Sequence, residues 1–322
     1  MFTLLTTINL LVFPEISWGA GKGCLAPAVQ LEGLSGRDLF DAGYREKLKK
    51  IQLAEQKEIF INRENLRKKI KKHFTGNPNY NLNLAIGPRL PDDVCDQIAK
   101  IRERLLEFEN ILQLSDPDFS HFTVLTLTRL SNENFPEDLV KPLYDITSSF
   151  FDRHKELTAF SLVMEGELIM GDDGGIIFRV DDKKSIGILN EIRIKFITEA
   201  LKELKGRTDL YEMLLGFLQK NPDFNEVSGN EEMITAPSIV HSTIGRVKIE
   251  NITDEQTRQI RNELKAIGRI HFGSLPVSGF KLFETSANID ELIIHGEIIL
   301  TLPALKEFFL ETRGIDLMEK AI

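Results

Sequence analysis

Cysteine, histidine, net positive charge and long apolar runs are all scarce in this 322-residue chain, and each scarcity removes a class of protein. Its two cysteines, Cys24 and Cys95, lie far apart and in no Cys-x-x-Cys pair, so neither a disulfide framework nor a cysteine metal cluster is available; both read as free structural thiols. No apolar run reaches the roughly 20 residues that span a bilayer. Met1 to Phe13 is fairly apolar, but no Lys or Arg precedes the apolar stretch and no clean small-x-small cleavage site follows. A weak secretory signal is the rival to the expected strand or tail of a cytoplasmic protein. The net charge of −9 excludes a protein whose whole surface grips duplex nucleic acid, because such binding draws on many Lys and Arg contacts to phosphate. A small anion in a local pocket stays open. Gly19-Ala20-Gly21-Lys22-Gly23 is not a phosphate-binding loop: that motif needs Gly where Ile16 stands and Ser or Thr where Gly23 stands.

What is present is an ordinary globular composition, 42% hydrophobic and 28% charged, divided near residue 78. Residues 38 to 73 read as helical. Arg45 to His73 carries eleven Lys or Arg against four Asp or Glu, a balance of +7 that leaves −16 for the rest. This segment is read as a solvated helical arm, or alternatively as a helix docking on RNA or a lipid surface. Gly76-Asn77-Pro78-Asn79 breaks it, giving an N-terminal extension over 1–78 and a domain over 79–322.

Beyond the break, strand and helix signals alternate. A strand at Leu82–Ile86 precedes a helix from Pro91, whose Val94, Ile98, Ile101, Leu105 and Phe108 form one buried face. A strand at 121–129, a helix at 138–155 and a hairpin of Phe160–Met170 with Ile176–Val180 come next; Gly171-Asp172-Asp173-Gly174-Gly175 supplies its turn. A long helix over 185–204, a polar loop over 209–235, a strand at Ile239–Glu250, a helix at 253–267 and strands at 279–285 and 291–301 complete the chain. The sum is an α+β chain in which strand, helix, motif strand and helix recur in each half. That recurrence points to two similar lobes facing one another.

Of six histidines, two open the same pattern: His121-Phe122-Thr123-Val124 and His241-Ser242-Thr243-Ile244. Each begins a β-branched run that reads as a strand, and side chains in a strand alternate faces, so His and Thr at i and i+2 project together. Histidine is the side chain most easily poised near neutral pH to move a proton. One histidine on each side of a phosphorus atom permits in-line attack with protonation of the leaving group, while each threonine hydroxyl donates to a nonbridging oxygen. This logic requires no metal and no cofactor, and no histidine and carboxylate grouping has convincing ligand spacing. The bland alternative is two histidines held structurally in strands, with β-forming threonines beside them. His73, His154, His271 and His295 lack such partners and are assigned structural or surface roles. Thr126 and Thr128 are placed on the face opposite His121, and Arg129 on the same parity as His121 but farther along the strand.

The paired His-x-Thr-aliphatic motifs resemble those of the two-histidine phosphoesterase superfamily, which includes the RNA 2′,3′-cyclic phosphodiesterases and 2′,5′ RNA ligase-like proteins. Leu82-Asn83-Leu84-Ala85-Ile86-Gly87-Pro88 is similar to that family's opening strand and proline turn, and the resemblance runs over about residues 80 to 303. It implies a bilobal fold with a cleft between two antiparallel sheets, plus the helical N-terminal extension. It also implies hydrolysis of a 2′,3′-cyclic phosphate, or a related 2′-linked phosphodiester, on a nucleotide or RNA end. By the same resemblance Arg246 helps hold phosphate, although strict alternation points it away from His241 and Thr243 unless a twist or bulge intervenes. Two departures stand out: the gap between the motifs is longer than in compact members, and Ser242 replaces the usual aliphatic residue. The expectation is a monomeric phosphodiesterase with His121, Thr123, His241 and Thr243 as catalytic residues and Arg246 as substrate-binding residue. RNA contact through the basic helix is an added option, and the rival is a protein that binds RNA ends or nucleotides in the same cleft without turnover.

Overall fold

The computed structural model of the protein describes residues 61–74, 80–131, 133–218, 236–237, 239–286 and 292–300. The sequence-based expectations for Met1–Phe13, Cys24, the start of the basic helix, the break at 76–79, the loop over 219–235 and the end of the last strand lie outside those residues.

Fifteen principal elements run through the described residues: α1 (Arg63–Phe74), β1 (Tyr80–Ile86), α2 (Asp92–Leu105), β2 (Leu112–Leu114), β3 (Phe122–Ser131), α3 (Glu137–Arg153), β4 (Phe160–Met170), β5 (Gly175–Val180), α4 (Lys183–Gly206), α5 (Thr208–Leu218), β6 (His241–Val247), α6 (Asp254–Ile267), β7 (Arg269–Val277), β8 (Gly279–Ser286) and β9 (Leu292–Ile299). They form an α+β structure with two antiparallel sheets, one of four strands in the order β3-β1-β8-β9 and one of five in the order β2-β6-β5-β4-β7. Helices α3, α4 and α5 pack together, with α4 and α5 against β3, while α2 and α6 pair and α6 covers β4. The motif strands β3 and β6 belong to different sheets and lie against each other.

Local chemistry explains the elements. Helix α2 starts after Pro91, carries Asp92 and Asp93 at its positive end, and buries Val94, Ile98, Ile101 and Leu105. Helix α6 opens with a capping box between Thr253 and Gln256 and buries Thr257, Ile260 and Leu264.

Three elements differ from the sequence reading. Helix α5 occupies part of the expected polar loop, because Leu210, Leu214 and Phe217 recur at i, i+4 and i+7 and are buried. Strand β2 is three residues long, too short to show alternation. Strand β7 was hidden by Gly273 and Pro276. Glu165 pairs with His271 but Val163 pairs with Ser274, so β7 bulges at Gly273, whose φ of 92° suits glycine. Pro276 is tolerated because β7 is the sheet edge.

The sheets also interleave the two halves of the chain. The four-stranded sheet takes β1 and β3 from the first half and β8 and β9 from the end, while the five-stranded sheet takes β2 and β4 to β7. The lobes are therefore not the sequence halves. The basic segment joins this body: Ile61, Leu66 and Ile70 are buried in the common hydrophobic core.

Candidate functional site

The two motif strands carry the same irregularity at the same offset. Along β6, His241 pairs with Arg179 and Thr243 with Ile177, after which the register slips and Gly245 pairs with Ile176 and Arg246 with Gly175. Ile244 is the extra residue of a β-bulge. Because Arg179, Ile177 and Gly175 share one face of β5, their partners His241, Thr243 and Arg246 share it too. Along β3, Thr123 pairs with Ala85, Leu125 with Leu84 and Thr126 with Asn83, so Val124 is the extra residue there. Thr126 therefore joins Thr123 on one face, against the placement read from strict alternation. Its hydroxyl donates to Asn83 Oδ1 at 2.9 Å. Thr128 pairs with Leu82 and is fully buried on the other face, as expected. Arg129 pairs with Asn81; its side chain lies outside the described residues.

Burial follows the same logic. His121, Thr123 and Thr126 are half-buried while Phe122, Val124, Leu125 and Leu127 are buried; His241, Thr243 and Arg246 are half-buried while Ser242, Ile244, Gly245 and Val247 are buried. At each bulge a carbonyl on the side away from the slipped pairing has a donor. The amide of Ser115 donates to Ile244 O at 2.8 Å. On β3 the donor is Arg193 of α4, fully buried, whose Nε donates to Val124 O at 3.0 Å and Nη2 to Thr123 O at 2.8 Å, while Nη1 reaches Asn190 Oδ1 at 3.1 Å.

Both imidazoles are oriented alike. His121 Nδ1 lies 2.8 Å from the Phe119 carbonyl and His241 Nδ1 lies 3.3 Å from the Ile239 carbonyl, in each case two residues upstream. A carbonyl only accepts, so each Nδ1 carries the proton and each Nε2 is left to act as acceptor in the neutral ring. The His121 ring stands edge-on to buried Phe283, with centroids 4.9 Å apart. Gly87 (φ 87°) lets the chain pass: a Cβ there would sit 2.8 Å from Ser120 O and 3.2 Å from His121 Cα.

Electrostatics joins the two lobes. Burial pushes the pKa of His121 below the ordinary histidine value, the Phe119 carbonyl works against that, and the Arg246 guanidinium lowers it further. A cation on the second motif strand thus acts on the imidazole of the first. Burial also disfavours the charge on Arg246, while the Asp173 carboxylate supports it. Both side chains are half-buried, and burial is the largest cause of each shift. Arg246 Nε is buried with no hydrogen-bond partner among the described residues. A buried donor left this way costs energy unless something accepts from it.

The remaining histidines behave as assigned wherever they are described. His154 bridges Glu156 and Glu199 at 2.8 Å each, His295 Nε2 lies 3.2 Å from buried Glu284, and His271 is exposed. Among the described residues no group of three or more His, Cys, Asp or Glu could hold a metal ion. No helix among them is long and apolar enough to cross a membrane.

Sequence reasoning missed Arg193, although its signal was present: it sits in the apolar stripe of Leu189, Ile192 and Phe196, where a cation must be satisfied internally. Phe283 and Asp173 gave no local signal.

No family model matches the chain, and neither does any curated protein. Among solved structures the chain is similar to Escherichia coli LigT in its apo form, at 15% identity over 70% of this chain and 99% of that one, with a TM-score of 0.40. It is also similar to Kluyveromyces marxianus Usb1, at 12% identity over 69% of this chain and 98% of that one, with a TM-score of 0.34.

Proposed function

We propose that the protein is a phosphodiesterase of the two-histidine type, hydrolysing a 2′,3′-cyclic phosphate, or a related 2′-linked diester, of a nucleotide or RNA end. The observation that carries this reading is the mirrored geometry of the motif strands, with His121 electrostatically coupled to Arg246 across the sheets. In this mechanism Arg246 and the hydroxyls of Thr123 and Thr243 hold the nonbridging oxygens, and the unpartnered Nε of Arg246 finds its acceptor there. His121, kept neutral by its surroundings and with Nε2 bare, serves as the general base. It takes a proton from water as the water oxygen attacks phosphorus. His241, protonated, gives its Nε2 proton to the departing ribose oxygen, leaving a phosphate monoester. In this reading residues 79–322 form the catalytic domain and α1 braces it.

The test is turnover of 2′,3′-cyclic mononucleotides by the wild type, His121→Ala and His241→Ala. General acid–base catalysis contributes about 10²–10⁴-fold, and each variant is expected to lose activity on that order. Full activity in either variant removes the mechanism. Tight binding of a cyclic-phosphate end by the wild type with no product over long incubation replaces it with the binding-protein reading.

A further inference from the structure

A second cationic feature adjoins His121. A cavity of about 130 Å³ is lined by residues that include Gly87, Arg89, Leu90, Ser278, Lys281 and Glu297. Gly87 lines the cavity and also abuts the Cα and Cβ of His121, so the cavity and the first motif share one stretch of backbone. The ladder places Lys281 as well. Ala85 pairs with Thr123 on one side and Lys281 on the other, so all three project from the same face of the four-stranded sheet, with Thr123 and Lys281 about 10 Å apart over two strand spacings.

Charge distinguishes this cavity from the surface around it. The chain has an excess of acidic groups, and many of its cations are paired, as in Lys69–Asp173, Arg104–Glu263 and Arg153–Glu203. Arg89 and Lys281 form no ion pair among the described residues. Lys281 Nζ donates to Pro88 O at 2.9 Å, which leaves two of its three protons. Arg89 is exposed and sits in the left-handed backbone region at φ 64°, unusual for an arginine, with its amide donating to Asp118 O at 3.0 Å. Glu297, opposite Lys281 on β9, is the one acid in the lining, and it would oppose an anion.

We propose that this cavity receives the phosphate of the nucleotide adjacent to the scissile one, held by Arg89 and Lys281, so that the site is built for the end of an oligonucleotide more than for an isolated cyclic nucleotide. This rests on the phosphodiesterase reading above.

The experiment compares a 2′,3′-cyclic mononucleotide with a short oligonucleotide ending in the same cyclic phosphate, using the full chain. Arg89→Ala together with Lys281→Ala is expected to raise KM for the oligonucleotide about tenfold, leaving its kcat and both constants for the mononucleotide unchanged. Arg89→Ala alone, at an exposed position that does not threaten folding, gives a smaller change in the same sense. Each lost phosphate contact flattens the salt dependence of oligonucleotide binding by roughly 0.7 in log–log slope. Glu297→Gln has the opposite sign and lowers KM for the oligonucleotide. Unchanged oligonucleotide kinetics in the double variant, or an equal change for both substrates, overturns the proposal. If the wild type turns over neither substrate, the phosphodiesterase reading fails separately, and fluorescence anisotropy with the same oligonucleotide decides the subsite. Binding weakened by the double variant and by salt retains it, and absent or unaltered binding removes it.

Discussion

His121 shows what a single side chain demands of its surroundings. Its Nδ1 proton is fixed by Phe119 O, its ring is edge-on to Phe283, and the Arg246 guanidinium adds its field to the cost of burial. Protonated His121 is therefore disfavoured in the folded chain. Between the unfolded histidine value of 6.5 and the lower folded one, the unfolded chain binds the proton that the folded chain refuses. Stability from this group is full above pH 6.5 and falls as pH drops through that window. His154 has the opposite sign: the hydrogen bond to Glu199, then that to Glu156, raises its pKa, so its contribution is full at low pH and is lost as pH rises through the folded value. A bulk melting curve sums the two, so the measurement is NMR titration of individual imidazoles. His121 is expected to titrate below 6.5 and His154 above it. Adding inorganic phosphate should raise the His121 value by screening Arg246, and Arg246→Met should raise it without phosphate. A His121 resonance indifferent to both would show that the two motifs do not share one site. The His-x-Thr pairs were legible because His and Thr lie within one strand; Phe283, 162 positions from His121, left no trace in the local pattern.

At the scale of elements, most strands and helices could be read because alternation and capping are local properties: the hairpin of β4 and β5 and the start and buried face of α2 follow from neighbouring residues. Bulges were not legible. Inserting Val124 or Ile244 into a ladder changes the face of the residues that follow until another slip resets it, as Leu127 does on β3, which is why Arg246 and Thr126 lie where strict alternation does not put them. A bulge persists only if its displaced carbonyls are satisfied, and on β3 that falls to Arg193. Arg193→Met keeps the apolar stem and removes the donors, leaving two buried carbonyls short of a partner. The expected loss is about 2–4 kcal/mol of stability in denaturant unfolding. Activity on a cyclic mononucleotide should fall further than the unfolded fraction explains, because Thr123 and His121 lose their support. Arg193→Lys should restore only part of both, since a single ammonium lacks the fork that spans two carbonyls. Stability loss with kcat unchanged in the remaining folded protein would make Arg193 a core residue only.

The whole molecule is tied together by what the chain order conceals. Because β8 and β9 return to the sheet of β1 and β3, neither lobe can be cut out as a contiguous half. The basic segment is likewise held in place along its described length. Leu66 of α1 packs at the β4–β5 turn, where a Cβ on Gly174 would lie 3.0 Å from Leu66 Cδ1. The Asn62 amide donates to Asp172 O at 2.9 Å, and Lys69 Nζ lies 3.3 Å from Asp173 Oδ2. Arg63 and Arg67 pair with Asp254 and Glu250, so with Lys69 three of the eleven cations that suggested RNA docking meet the domain's own acids. Asp173 is also the carboxylate whose field reaches Arg246, so α1 helps set how strongly that turn competes with phosphate for the guanidinium. Two substitutions in the intact chain separate bracing from recruitment. Leu66→Ala empties a fully buried position and should cost about 2–5 kcal/mol by denaturant unfolding. Lys69→Ala removes a partly exposed ion pair worth at most about 1 kcal/mol, so stability should barely change, yet Asp173 is released toward Arg246. Its KM for a cyclic mononucleotide, a substrate too small to need a tether, should rise two- to fivefold, roughly 0.4–1 kcal/mol. An unchanged mononucleotide KM beside a weakened affinity for long RNA would reverse the assignment and make α1 a recruiting helix.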